Sequence, residues 1–158
     1  MDTTNESPTL AVLRKVLLGI FSIAVAGTLI ELLLLEHFDG ATQLIPLILL
    51  TISLLVLAWF GFAPSRTSLR AFQIVSILLI VGGTTGLLLH YNGNMLFELS
   101  VTPEMKGSDL FWKSVTGATP ALAPGAMIQF GLLGLASTFR HPMWGAAKKP
   151  YNNERAAQ

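Results

Sequence analysis

The placement of charge constrains this chain more than any other feature. Four blocks, near residues 16–37, 44–62, 71–90 and 120–139, are almost free of Asp, Glu, Lys and Arg, and the segments between them hold nearly all such residues. An α-helix of about 20 apolar residues, rising 1.5 Å per residue, crosses the roughly 30 Å hydrocarbon core of a bilayer. Charged residues make up only 12% of the chain and hydrophobic ones 52%, whereas a soluble domain is roughly 25% charged. The expected fold is therefore all-α. Residues 1–158 form one integral membrane domain of four transmembrane helices, with an outer loop at 91–118 and a tail at 140–158.

The first block follows Arg14-Lys15 and contains Ala24-Val25-Ala26, a pattern seen before signal-peptide cleavage sites. Apolarity continues past Ala26 to Leu35, so an uncleaved first span is expected. His37 to Gln43 reads as a tight turn, with Asp39-Gly40 as its signal. Pro46 is expected in the first turn of the second helix, where a missing N–H costs nothing. Trp59 and Phe60 suit an interfacial aromatic belt. Residues 63–70 form the next connection.

In the outer loop, Met95, Phe97, Leu99 and Val101 alternate with Leu96, Glu98, Ser100 and Thr102, a weak strand signal. Ser108 to Gly117 predicts a short interfacial helix, capped by Ser108 and stopped by Gly117. Thr119-Pro120 resembles a helix start, and Pro124 predicts a kink or a late start of the fourth helix.

Four spans place Arg14, Lys15, Arg66, Arg70, Arg140, Lys148, Lys149 and Arg155 on one side, against Lys106 and Lys113 on the other. Lysine and arginine concentrate in cytoplasmic loops. Both termini are therefore expected in the cytoplasm, and the protein in the cell membrane.

Glu31 is the one carboxylate well inside a block. Burying its charge near mid-bilayer costs about 3 kcal/mol, so it is expected to face the bundle or to be protonated. Ala24, Gly27 and Glu31 share a helix face by spacing, and small residues let a neighbouring helix approach. Thr84, Thr85 and Gln129 are candidate partners in a proton or cation site.

Leu34-Leu35-x-His37-Phe-Asp-Gly recurs as Leu87-Leu88-x-His90-Tyr-Asn-Gly. If both motifs mark outer helix ends, the histidines lie at one depth. Glu36, Asp39 or Glu98 would add oxygen ligands for a metal, and two histidines from two helices can also ligate a haem. The competing expectation is histidine capping the last carbonyls of each helix. Gly82 and Gly86, with Gly131 and Gly134, are expected at helix contacts.

The layout alone resembles small multidrug-resistance transporters, four short spans with a carboxylate in the first. This chain departs from it in the outer position of Glu31 and the long loop, and no activity is carried over.

Cysteine is absent and net charge is +1. Thiolate sites and nucleic-acid binding are not expected. No catalytic triad, phosphate-cradling glycine loop or His-Glu-x-x-His motif occurs. The expected role is a non-catalytic subunit or scaffold of a membrane assembly, with no cofactor. Its expected partners are the lipid bilayer and other membrane subunits, or copies of itself. The alternatives are a transporter or proton-coupled carrier using Glu31, and a haem or metal protein using His37 and His90.

Overall fold

The computed structural model describes residues 7–117 and 124–145, and all regular structure among them is helical. The helices are α1 (Pro8–Leu34), α2 (Ala41–Phe62), α3 (Arg66–Val101), α4 (Gly107–Val115), α5 (Gly125–Thr138) and the short α6 (Pro142–Gly145). α1, α2 and α3 are each long and apolar enough to cross a membrane. α5 is apolar but has 14 residues, about 21 Å of helix. The expected start of the fourth span at residues 120–123, including the Thr119-Pro120 cap, lies outside the described residues.

The helices alternate in direction. Gly134 and Gly131 lie against Ser76 near the start of α3, and Gly83 lies against Pro124 and Ile128 at the start of α5. α3 and α5 are thus antiparallel. Phe60 near the end of α2 stacks on Phe72 near the start of α3, and Phe72 meets Phe21 of α1 edge-on with ring centroids 5.2 Å apart. The core is Phe21, Val25, Leu50, Phe72, Leu79, Met127 and Phe130.

Small residues make the α3–α5 contact close. A Cβ on Gly131 would collide with the Ser76 carbonyl oxygen, and one on Gly134 with the Ser76 hydroxyl. At Gly83 a Cβ would meet the Pro124 carbonyl oxygen at 2.8 Å, and at Gly86 Pro124 Cβ at 3.0 Å, while at Gly82 it would meet Leu49 Cδ1 of α2 at 2.8 Å. Backbones that approach this closely gain packing energy where no hydrophobic effect drives association. The buried serine hydroxyls are satisfied within their own helices. Ser76 donates to the Phe72 carbonyl at 2.8 Å, Ser53 to Leu50 at 2.8 Å and Ser137 to Gly134 at 2.7 Å.

Several boundaries differ from the sequence reading, each for an identifiable reason. α1 begins at Pro8, eight residues before the apolar block, because its first turns need not lie in hydrocarbon. It ends in a Schellman arrangement. The His37 N–H donates to the Leu32 carbonyl at 3.0 Å and the Glu36 N–H to Leu33 at 3.1 Å. Glu36 takes the left-handed position at φ 52°, which glycine usually fills. The turn is therefore made at Glu36, and Gly40 is extended at φ −140°. α2 starts at Ala41, which puts Pro46 inside the helix. Phe60 is buried in the core and does not join Trp59 in an exposed belt.

The 63–70 connection is shorter than expected. Ser65 caps α3, accepting from the Ser68 N–H at 3.0 Å, while the Ser65 N–H donates to the Ser68 hydroxyl at 2.9 Å.

The largest correction concerns residues 91–101, which are helix, not loop or strand. α3 runs for 36 residues, about 54 Å, and passes straight through Asn92-Gly93-Asn94. Phe21 and Phe72 share a level, so α3 continues about 24 Å beyond the end of α1. α4 packs on this extension. Buried Asn94 donates from Nδ2 to the Ser114 carbonyl at 2.9 Å, Tyr91 contacts Phe111, and Lys113 pairs with Glu98 at 3.8 Å. A Cβ on Gly117 would meet Asn94 Cγ at 2.7 Å. Glycine and asparagine are weak helix formers, and these contacts override them. The cap of α4 is Lys106, and the helix starts at Gly107, φ 64°, not at Ser108. The described part of the fourth helix begins at Gly125, directly after Pro124.

Candidate functional site

The first candidate is the outward face of α1. Its inward face carries Arg14, Phe21 and Val25, with Leu18, Leu29 and Leu32 packed at the margin. At 100° per residue these positions fall within about 80° of one another, while Gly27 and Glu31 lie roughly 200–240° around from their centre. The outward stripe is Gly19, Ile23, Gly27, Ile30, Glu31 and Leu34, all exposed. Among the described residues nothing lies within 4 Å of a Cβ built on Gly19 or Gly27.

Of the two expectations for Glu31, the first, facing the bundle, is not what the structure shows: Ala24 packs at the edge of the core, but Gly27 and Glu31 turn away from Phe21 and Val25. Glu31 is exposed and makes no hydrogen bond or ion pair with the described residues. Thr84, Thr85 and Gln129 are exposed as well, and the Thr84 hydroxyl donates to the Ile80 carbonyl at 2.8 Å. The four residues belong to three helices, Glu31 to α1, Thr84 and Thr85 to α3 and Gln129 to α5.

The histidines also part company. His37 follows the α1 terminus, whereas His90 lies inside α3, so the repeated motif marks a helix end only once. His90 is half-buried, and its Nδ1 has no hydrogen-bond partner among the described residues. Glu36 is exposed, and Glu98 is engaged by Lys113. Among the described residues no group of three or more His, Asp or Glu side chains is placed to hold a metal ion.

The second candidate was not foreseen. At the end of the bundle where α1 and α3 start and α5 stops, polar groups interlock. Arg14, almost fully buried, donates from Nη2 to the carbonyls of Phe139 at 2.8 Å and Arg140 at 2.6 Å. These are terminal carbonyls beyond α5, and a cation there also meets the negative end of the helix dipole. Gln73 Nε2 donates to the Thr138 hydroxyl at 3.1 Å, and Arg66 Nε to the Met143 carbonyl at 3.0 Å. The His141 ring lies edge-on to Phe60 at 5.6 Å, and its Nδ1 accepts the Met143 N–H at 3.3 Å. Partial burial, and then the nearby positive charge of Arg14, hold His141 below the usual histidine pKa. The only sequence signal was an arginine at the edge of an apolar block, which also fits a plain boundary residue.

At the opposite end, Thr102, Glu104, Met105, Asp109, Trp112 and Lys113 line an open groove of about 480 Å³. Comparison with protein-family models, with curated proteins and with solved structures returns no match.

Proposed function

We propose that the protein is a non-catalytic subunit of a membrane assembly, with four membrane-inserted helices and both ends in the cytoplasm. In this reading the outward face of α1 is its contact with another membrane helix. One observation carries it: Glu31 and the open Gly27 lie together on the face of an apolar helix that the described residues leave uncovered. A carboxylate facing lipid is costly, so it either takes a proton or meets a donor. A second helix lying along Gly19, Ile23 and Gly27 would approach closely and could supply that donor. The eight-to-two distribution of lysine and arginine supports the orientation.

Extraction in mild detergent followed by mass-spectrometric identification of co-migrating chains tests this. The wild type should migrate with a partner chain, and Gly27→Leu or Glu31→Leu should release it without changing the subunit's own melting temperature. A lone monomer with turnover or transport activity would refute the proposal. The same carboxylate supports a carrier reading, which Glu31→Gln separates: transport lost with folding intact favours the carrier.

A further inference from the structure

We propose that the groove between α1 and α2, at the end of the bundle away from Arg14, binds an acyl chain of a phospholipid whose headgroup carries a primary ammonium. Leu29 and Leu33 of α1 and Leu47, Ile48, Thr51 and Ile52 of α2 line an open cavity of about 290 Å³ there. Leu47 is buried, while Leu33, Ile48 and Ile52 are exposed. The one hydroxyl among them is used inside its own helix, because Thr51 donates to the Leu47 carbonyl at 2.8 Å. The lining is therefore apolar, and a hydrocarbon chain laid along it gains dispersion contacts. Both helices are long and apolar enough to cross a membrane.

The headgroup is set by what lies at the mouth. Residues 35–40 join the end of α1 to the start of α2 and so cross the groove at this end. They include exposed Glu36 and Asp39, and no lysine or arginine occurs between Lys15 and Arg66. Two carboxylates on a hairpin without such a cation favour an ammonium over a second anion. Gln43 lies one helical turn outward of Leu47 on the same side of α2, and its Oε1 is buried with no hydrogen-bond donor. An amide oxygen left unpaired is costly. Turned toward the mouth, it would accept from an ammonium N–H, which a quaternary headgroup lacks. α2 also starts without a side-chain cap, and the N–H groups of its first turn point outward, where they suit the headgroup phosphate. A neighbouring apolar helix would fill the groove but leave Gln43 Oε1 and the two carboxylates unanswered. Leu29 and Leu33 lie about 200° around α1 from Gly27 and Glu31. The inference requires that α1 and α2 lie in a bilayer, and it can fail without the subunit reading failing.

The test is native mass spectrometry of the full chain in detergent micelles, with phosphatidylethanolamine, phosphatidylcholine and phosphatidylglycerol of matched acyl chains. Phosphatidylethanolamine should be retained over both others. Gln43→Leu should lower its preference over phosphatidylcholine by about fivefold, the worth of one net hydrogen bond. Glu36→Gln with Asp39→Asn should lower its preference over phosphatidylglycerol by up to about fivefold. Leu33→Trp and Ile48→Trp, exposed on the two walls, should each reduce retention of all three lipids. Circular dichroism checks that each variant folds, and either tryptophan variant suffices if the other melts early. Glu104→Gln with Asp109→Asn, away from the groove, should change nothing. Equal retention of the three lipids, or unaltered preferences in the variants, would overturn the site. Loss of a co-migrating chain, with lipid retention unchanged, in the tryptophan variants would assign the groove to a helix instead and refute the lipid.

Discussion

Replacing Arg14 with methionine should destabilise the bundle more than any other single change at its basic end. The side chain keeps comparable length and packing but loses the guanidinium. Two charge-assisted hydrogen bonds disappear, those to Phe139 O at 2.8 Å and Arg140 O at 2.6 Å. Bonds to charged groups contribute about 1.5–3 kcal/mol each, and a cation at a helix C-terminus about 1 kcal/mol. Releasing the guanidinium from a site where it is 6% exposed regains part of its desolvation cost. The balance is a loss of about 3 kcal/mol, a factor of roughly one hundred in the folding equilibrium. The neighbouring Lys15 is exposed, so Lys15→Met should change stability by less than about 0.5 kcal/mol. Arg14→Lys keeps the charge but not the forked donor geometry, and should fall between them. Reversible unfolding by sodium dodecyl sulfate in mild-detergent micelles, followed by circular dichroism, gives all three values. If Arg14→Met costs no more than Lys15→Met, the α1–α5 interlock is not a determinant of the fold.

Other substitutions probe the remaining contacts. Gly131→Ala forces a methyl onto the Ser76 carbonyl and should cost about 1–3 kcal/mol in the same titration, whereas Gly27→Ala, in open space, should leave the isolated subunit at least as stable. Asn94→Ala leaves the Ser114 carbonyl without its donor and should loosen α4 by about 1–3 kcal/mol, seen as faster amide exchange across Gly107–Val115. Glu36→Gly removes a side chain from a left-handed residue and should raise the unfolding midpoint, by about 1 kcal/mol of stability; a lower midpoint would contradict the Schellman reading. His141 has its pKa lowered on folding. Between its folded value and the unfolded value near 6.5 the unfolded chain binds more protons. Its contribution should be intact above about pH 6.5 and lost as pH falls through the folded pKa, and His141→Gln should flatten that part of the melting profile.

The helical, membrane-suited character of the chain was legible in its sequence because hydrocarbon selects on composition over whole blocks. Runs of about 20 apolar residues bounded by charge admit few other structures, and α1, α2 and α3 follow them. The extension of α3 through residues 91–101 was less visible. Its inward stripe is buried Asn94 with half-buried Tyr91, Met95, Glu98 and Leu99, a helical period whose key members are polar. α4, whose Ser114 carbonyl accepts from Asn94 and whose Lys113 pairs with Glu98, makes that stripe an inward face.

Facing was the other quantity that only tertiary structure decided. Periodicity puts Glu31 near Gly27 and puts Phe21 with Val25, but a helix apolar on all sides does not say which face meets its neighbours. Phe21 against Phe72 and Arg14 against the end of α5 settle the rotation of α1, and they turn Glu31 outward. The sequence by itself determined that long apolar helices form and where charge gathers at their ends, because those properties are local and additive. The exposed carboxylate and the buried arginine depend on contacts between residues far apart in the chain, and packing alone could assign them.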